Sequence, residues 1–470
     1  MTPEPRLQDR VFATGFPQQR PAARRIHKVL LIHSAHLDER GAVVKADSAY
    51  DRLTIGNVAE LALPLLAALT PSRIQVAKVD DYFDRIPLES DAQVVGISAQ
   101  VMARSRAIAL ANEFRSRGKI VVMGGYLPTM HPEEVLDHVD AICMGEGDDA
   151  WPRMLEDIES GNLHRVYKAS QLPDLTKLPV PRYDLVRRDR FTTMPVQATR
   201  GCPFTCGYCS IIEFHGHTYR HRPVDHIVRD IRAANSRFMH FVDDNLMEDR
   251  NFCRELFTGM RDLGVLWGAQ VTINVAKDPE ILRMAYRAGC RFLAIGVETI
   301  SQGNLARVSK DFNRVDRYAE AFKTIQDAGI GVHALIMFGL PEDTPSTFST
   351  TVDYLEEHGV AIAEFFIMTP YPKTPEGRRL LEEGQIIDHD LDHYRETYVV
   401  FKHPTMKPRE IKEGYWQTLR NFYSLRSILT RIWRGTFRDK SEHLLFNLAY
   451  MGKIKRGIIP VYFGRGNDDP

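Results

Sequence analysis

The chain has 470 residues, 61 Lys and Arg against 61 Asp and Glu, and a formal net charge of zero; it can hold two or three domains with separate cores, and it lacks the cationic excess that tracks a phosphate backbone, which argues against a nucleic-acid substrate. No run approaches the roughly 20 apolar residues that cross a bilayer, and the first residues lack the apolar segment of a secretory signal, so no transmembrane segment and a cytoplasmic location are expected. Six cysteines, at 143, 202, 206, 209, 253 and 290, are too few and too clustered for a disulfide framework.

Residues 1–25 are polar, rich in Pro and Arg and without period, and read as a tail. From there apolar β-branched runs alternate with helical spacing. KVLLIHS (28–34), RIQVAKVD (73–80), AQVVGIS (92–98), KIVVMGG (119–125) and AICMGEG (141–147) read as strands, with helices over 58–69 and 103–117. Near-continuous apolar strands separated by helices predict a parallel sheet covered on both faces, so 26–155 is expected to be a doubly wound, Rossmann-like α/β domain. Three prolines within LPDLTKLPVPRYD (172–184) mark 156–190 as a linker.

A second alternating series starts at MPVQATRG (194–201) and continues through FMHFVDD, WGAQVTINV, RFLAIGVET, GVHALIMFGLP and AEFFIMTP, with helices such as 278–288 and 315–328 between them. Six successive βα units predict a partial or complete TIM-like β/α barrel over 191–380, with its chemistry at the C-terminal ends of the strands. Residues 381–470 read as a helical region packed on one barrel face.

The string TRGCPFTCGYCS (199–210) follows the first barrel strand directly and sets Cys202, Cys206 and Cys209 in C-x3-C-x2-C spacing. Three thiolates on one loop can hold three irons of a 4Fe-4S cubane and leave the fourth iron open to a small chelating ligand. A structural zinc site is the alternative, but it needs a fourth ligand such as His215 or His217. Cys143, Cys253 and Cys290 lie in apolar contexts and read as core residues.

This loop, with the aromatic Tyr208 before the third cysteine, resembles the radical S-adenosylmethionine (SAM) superfamily. The resemblance implies a 4Fe-4S cluster that reductively cleaves SAM, an external reductant such as flavodoxin or ferredoxin, and Tyr208 near adenine. It also implies Asp243, Asp244 and Asn245 of FVDDN near the SAM amino group, Glu298 of GVET near the ribose, and the turn carrying Gly339 and Pro341 near adenine. The Gly-Gly-Glu motif of many relatives is absent from the second strand.

The first domain, through VVGISAQ, VVMGGYLPTMHPEEVL and DAICMGEGDDAW, resembles the cobalamin-binding domain that precedes the barrel in the hopanoid and bacteriochlorin branch of that superfamily. Cobalamin is thereby implied, with Gly124, Gly125, Gly145, Glu146 and Gly147 at strand-end turns where backbone approaches a ligand. The D-x-H-x-x-G motif that supplies a histidine to cobalt is replaced by HSAHLDERG (33–41), so His33 and His36 read as ordinary histidines. With no cysteine before Cys143 or after Cys290, the second clusters of RNA methylthiotransferases and of peptide-modifying relatives are excluded.

The expected reaction is methylation of an unactivated carbon of a small molecule through cobalamin. Two alternatives stay open on the same scaffold: radical cyclisation or oxidation, and transfer of the 3-amino-3-carboxypropyl group of SAM. A non-catalytic iron–sulfur sensor or electron carrier is the reading of another class. The substrate classes are lipid, tetrapyrrole and secondary metabolite. Tyr415, Trp416, Phe422 and Tyr423 in the last segment suit such a molecule or a helix core.

Overall fold

A computed structural model describes residues 23–46, 58–169 and 171–458. The chain forms two compact units: Met1–Leu37 with Ala62–Pro173, and Asp38–Leu61 with Asp174–Pro470. The tail expected over 1–25 lies almost entirely outside the described residues.

In the first unit six parallel strands, β1 (Lys28–His33), β2 (Gln75–Asp80), β3 (Val94–Ser98), β4 (Ile120–Gly124), β5 (Ala141–Met144) and β6 (Val166–Lys168), lie in the order β2-β1-β3-β4-β5-β6. The direction of winding reverses between β1 and β3, the place where ligands bind beyond the carboxyl ends of strands in doubly wound sheets. Strand residues Leu30, Ile32, Val95, Ile97, Val121 and Ile142 bury one face against Ala107, Leu110, Ala111 and Phe114, four positions one helical face apart on Arg104–Ser116.

Two expectations need correction here. The stretch from 156 is not all linker: the helix Ala150–Ser160 ends in it, capped by Gly161 at φ 74°, and β6 adds a sixth strand beside β5. The helix expected from 58 begins only at Ala62, and Val58 instead makes a single parallel bridge to Thr193.

The second unit is built on β7 (Thr193–Val196), β10 (Phe238–Phe241), β11 (Leu266–Val271), β12 (Cys290–Glu298), β13 (Gly331–Phe338) and β14 (Ile362–Ile367), all parallel and adjacent in chain order, with β7 and β14 at the two edges. This is the connectivity of a β/α barrel in its partial, six-stranded form. A two-stranded antiparallel ribbon, β8 (Thr199–Arg200) with β9 (Arg220–His221), flanks the cysteine loop. Aromatic packing behind the last strands is dense, with Phe338 against Phe348 at 4.7 Å and Phe365 against Phe422 at 5.4 Å.

The terminal helices begin at Pro408, later than the expected 381. Residues between them and the helix Pro375–Glu382 are mostly irregular, with one antiparallel bridge between Ile386 and Phe401. Tyr415, Trp416, Phe422 and Tyr423 are all buried, as the helix-core alternative expects. Cys143, Cys253 and Cys290 are buried too.

Candidate functional site

The cysteine loop is held at both ends. At its entry, Asp243 just past β10 is buried and its carboxylate accepts from the backbone N–H groups of Ala198 and Thr199 and from the Thr199 hydroxyl at 2.6 Å. Asp244 accepts from the N–H of Gly201 at 3.1 Å. Gly201 has φ 83°, and a Cβ there would collide with the Thr218 carbonyl, so only glycine serves. Farther along, the Gly207 N–H donates to the Val308 carbonyl at 2.8 Å, and its own carbonyl accepts from the Glu376 N–H at 2.9 Å. The loop is thus fixed by backbone bonds to segments far away in sequence.

The three loop thiols are in no disulfide. Burial pushes each upward, that of Cys209 to about 12, and each also feels neighbouring thiols or carboxylates. Such a set favours a cationic iron centre, which stabilises the thiolates that burial disfavours. Among the described residues no three His, Cys, Asp or Glu side chains are gathered as ligands of one metal ion. A cubane fits this donor set because its thiolates sit on separate irons. Of the histidines weighed for zinc, His217 is exposed, and His215 lies 3.7 Å from Asp244.

FVDDN divides its work in a way the sequence did not show. Both Asp243 oxygens accept hydrogen bonds from Ala198 and Thr199 at the loop's entry, so this carboxylate clamps the loop. Asn245 points its amide towards Cys202 Sγ at 4.0 Å and Glu248 at 3.1 Å, and its carbonyl accepts from the Thr272 N–H at 3.3 Å.

Across the sheet, Glu298 ends β12 with φ 65°, where the β12–β13 register shifts. Left-handed backbone at a carboxylate is uncommon and concentrates at functional strand ends. Its Oε1 lies 2.5 Å from Lys310 Nζ, which donates to the Tyr208 hydroxyl at 3.3 Å. Burial alone would lower the Lys310 pKa, yet Glu298 and Cys206 hold it above its ordinary value. Burial first, and then Glu298, raises the Tyr208 phenol. Sequence reasoning missed Lys310: it stands in RVSKDFN, a loop with no motif, and only its buried partner reveals it. Phe204 of the cysteine loop stacks on Phe312 of the same segment at 4.0 Å.

The turn after β13 is shaped by Asp343, which accepts from the N–H groups of Gly339 and Leu340 at 2.9 and 3.0 Å and from Asn304 Nδ2 at 2.9 Å. Gly339 has φ 88°, and Pro341 follows it half-buried.

In the first unit the predicted glycines gather at the carboxyl ends of neighbouring strands. Gly125 has φ 99°, and a Cβ there would sit 2.7 Å from the Ala99 carbonyl oxygen, so the turn lies against β3's end. Thr129 joins two turns: its hydroxyl donates to Gly125 O at 2.7 Å and accepts from Gly145 N–H at 3.0 Å. Glu146 is buried, and Gly147 begins the approach to the helix Ala150–Ser160, its carbonyl accepting from the Trp151 N–H. His33 and His36 are engaged with Asp80 at 3.3 Å and Tyr82 at 2.9 Å.

A thiol-bearing loop above an open barrel, together with a doubly wound domain ending in glycine turns, defines a two-domain cofactor enzyme. The B12-binding domain family matches residues 70–155 and the radical SAM superfamily residues 196–355, so the chain is a radical SAM enzyme with a B12-binding domain, whose cofactors are a 4Fe-4S cluster, SAM and cobalamin.

It is 27% identical over 385 residues to the bacteriochlorophyllide d C-12(1)-methyltransferase of Chlorobaculum tepidum, covering 79% of this chain and 84% of that one. It is 26% identical over 345 residues to the hopanoid C-2 methylase of Rhodopseudomonas palustris, covering 70% of this chain and 65% of that one. In fold it is similar to the methyltransferase TsrM from Kitasatospora setae, solved with cobalamin and a 4Fe-4S cluster, at TM-score 0.63 and 15% identity over 91% of this chain and 99% of that one.

Proposed function

We propose that this enzyme methylates an unactivated carbon of an apolar polycyclic small molecule, a lipid or a tetrapyrrole, in the cytoplasm, drawing electrons from a flavodoxin- or ferredoxin-type donor. The observation that carries the reading is the loop of three unpaired thiols fixed beside the Glu298–Lys310–Tyr208 group. The substrate class rests on the relatives, which are named for a bacteriochlorophyllide and a hopanoid.

Cys202, Cys206 and Cys209 would hold the cluster, and the glycine turns at 124–125 and 145–147 would receive cobalamin. When bound, these groups supply a carbon radical from SAM and a transferable methyl group. The chain's own part is positional. Asp243, Asp244 and Gly207 keep the loop's thiols in place, and Asn245 directs an N–H towards Cys202 Sγ, which favours its thiolate. Glu298 offers a carboxylate oxygen to a ribose hydroxyl, and Lys310, 2.5 Å from its Oε1, holds that side chain in place. Tyr208 and the Gly339–Pro341 turn offer apolar surface to adenine.

Anaerobically reconstituted enzyme is expected to contain about four iron and four sulfide per chain and to bind hydroxocobalamin. With SAM, reductant and substrate it should release 5′-deoxyadenosine and S-adenosylhomocysteine alongside a methylated product. Cys202→Ala, Cys206→Ala and Cys209→Ala should each abolish SAM cleavage. Methylthioadenosine as the main fragment would replace methylation with aminocarboxypropyl transfer, and a cluster whose spectrum ignores SAM would leave only a sensor.

A further inference from the structure

The helices that end the chain carry a surface the catalytic reading does not use. On the helix Leu425–Arg434, Leu425, Leu429 and Trp433 are spaced four residues apart and are 54%, 52% and 81% exposed. At about 100° per residue these three lie within one narrow arc of the helix. The opposite side, with Ser427, Ile428 and Arg431, is buried. The neighbouring helix Lys440–Ile454 exposes Leu445 and Leu448 as well. Few large apolar side chains elsewhere among the described residues are this open, and none approaches Trp433.

The charge carried by this segment is one-sided. Although the whole chain is neutral, residues 420–458 hold nine Lys or Arg against two Asp or Glu. Arg431 and Lys453 are buried, while Arg420, Arg426, Arg434, Arg438, Lys455 and Arg456 are exposed. One of the two acids, Asp439, is already engaged by Arg291 at 3.0 Å. A cavity of about 410 Å³ opens beside Leu425, with Trp416, Tyr423, Met451 and Ile454 in its wall and Arg420 and Lys455 among its lining.

An amphipathic helix with Leu and Trp on its outer face and cations flanking them has the make-up of a segment that lies in a bilayer interface. Trp is the side chain that prefers that depth, its ring apolar and its N–H wet. We propose that this face docks the enzyme peripherally on an anionic lipid bilayer, with Leu425, Leu429 and Trp433 entering the headgroup–acyl boundary and the surrounding arginines meeting lipid phosphates. No helix among the described residues is long and apolar enough to cross a membrane, so the attachment is reversible. It stands whatever the methylated substrate is.

Co-sedimentation of the full-length reconstituted enzyme with vesicles tests this. Vesicles of phosphatidylcholine with one third phosphatidylglycerol should bind it at least tenfold more tightly than phosphatidylcholine alone, and the preference should collapse as salt rises. Leu429→Ser with Trp433→Ser should weaken binding at least tenfold, and Arg426→Glu with Arg434→Glu should erase the anionic preference. Both variants should cleave SAM like the parent, which separates a docking defect from a folding one. The fluorescence of Trp433 should shift to the blue on binding, because the other three tryptophans are buried.

Absence of binding at low salt overturns the proposal, as does binding that ignores both variants. A parent dimer that Leu429→Ser with Trp433→Ser splits into monomers would show that a second copy covers the face. Vesicle binding that appears only after removal of residues 459–470 would assign the face to the chain's own end.

Discussion

Asp243, singled out by its motif, is committed to the backbone at the entry of the cysteine loop. Burial raises its pKa to about 7 although its hydrogen bonds from Thr199 and Ala198 pull the other way. Its function is to accept those bonds. Asp243→Asn would turn an amide N–H towards backbone donors that need an acceptor, leaving buried groups unsatisfied at about 1–3 kcal/mol. The expected outcome is a lower unfolding midpoint and a loss of most of the iron after reconstitution, measured by thermal melts and iron assay.

The buried pair of Glu298 and Lys310 permits a sharper test. Removing only the lysine by Lys310→Met strands a buried carboxylate and should cost about 3–5 kcal/mol, whereas Glu298→Gln with Lys310→Met should recover much of it. Urea unfolding of the cluster-free protein reads both. The three cysteines were legible because their spacing is itself a ligand pattern. Lys310 was not, because a lone lysine in a loop has no periodicity and acquires meaning only when folding buries it beside Glu298.

At the scale of elements, Arg431 is prominent among the side chains that tie the terminal helices to the barrel. Arg431 is fully buried and makes no ion pair with a carboxylate among the described residues. It donates to the carbonyls of Val360, Ala361 and Phe422 at 3.0, 2.6 and 2.9 Å and to Asn447 Oδ1 at 2.9 Å, and its guanidinium lies 3.6 Å from the Phe422 ring. Burial lowers its pKa to about 10. Arg431→Met would leave those acceptors bare, and a loss of at least about 3 kcal/mol is expected, together with faster proteolysis between 423 and 440. The sequence announced these helices by aromatic and basic residues at helical spacing. It could not reveal which arginine turns inwards, since Arg426, Arg431 and Arg434 look alike until packed.

A second element-level link is His443, whose ring occupies the space a Cβ on Gly331 would need. Burial lowers its pKa to about 4. The unfolded chain therefore binds this proton below about 6.5 and the folded one only below about 4, so stability is intact above pH 6.5 and is lost as pH falls through that window. One histidine accounts for at most about 3 kcal/mol. His443→Gln should flatten the pH dependence of the urea midpoint between 6.5 and 4.

On the scale of the whole chain, the two sheets were legible because parallel strands buried on both faces leave near-continuous apolar runs, and the order of those runs gives the topology. The edges were less so. β6 is only three residues long and lies between turn-rich stretches, and the described residues 38–46 and 58–61 belong to the second unit without any compositional change to announce it. The place of the first unit's glycine turns follows from its topology, since the chain leaves β1 for β2 on one side and β3 for β4 on the other, and the turns after β4 and β5 stand at the same carboxyl ends. If those turns receive cobalamin, its binding should order their backbone. Hydrogen exchange with and without hydroxocobalamin at about 100 times its Kd, where linkage stabilises the binding unit by about 2.7 kcal/mol, is expected to slow exchange at 124–130 and 145–151. Amides along Arg104–Ser116, which lie in the unit's core, should slow only as far as they exchange through unfolding of the whole unit, whereas the turns should also lose their local exchange. Slowing confined to the second unit would remove Gly124, Gly125, Gly145, Glu146 and Gly147 from the cofactor site, whereas slowing at both turns, abolished by Gly125→Val, would tie them to it, since a side chain there meets the Ala99 backbone.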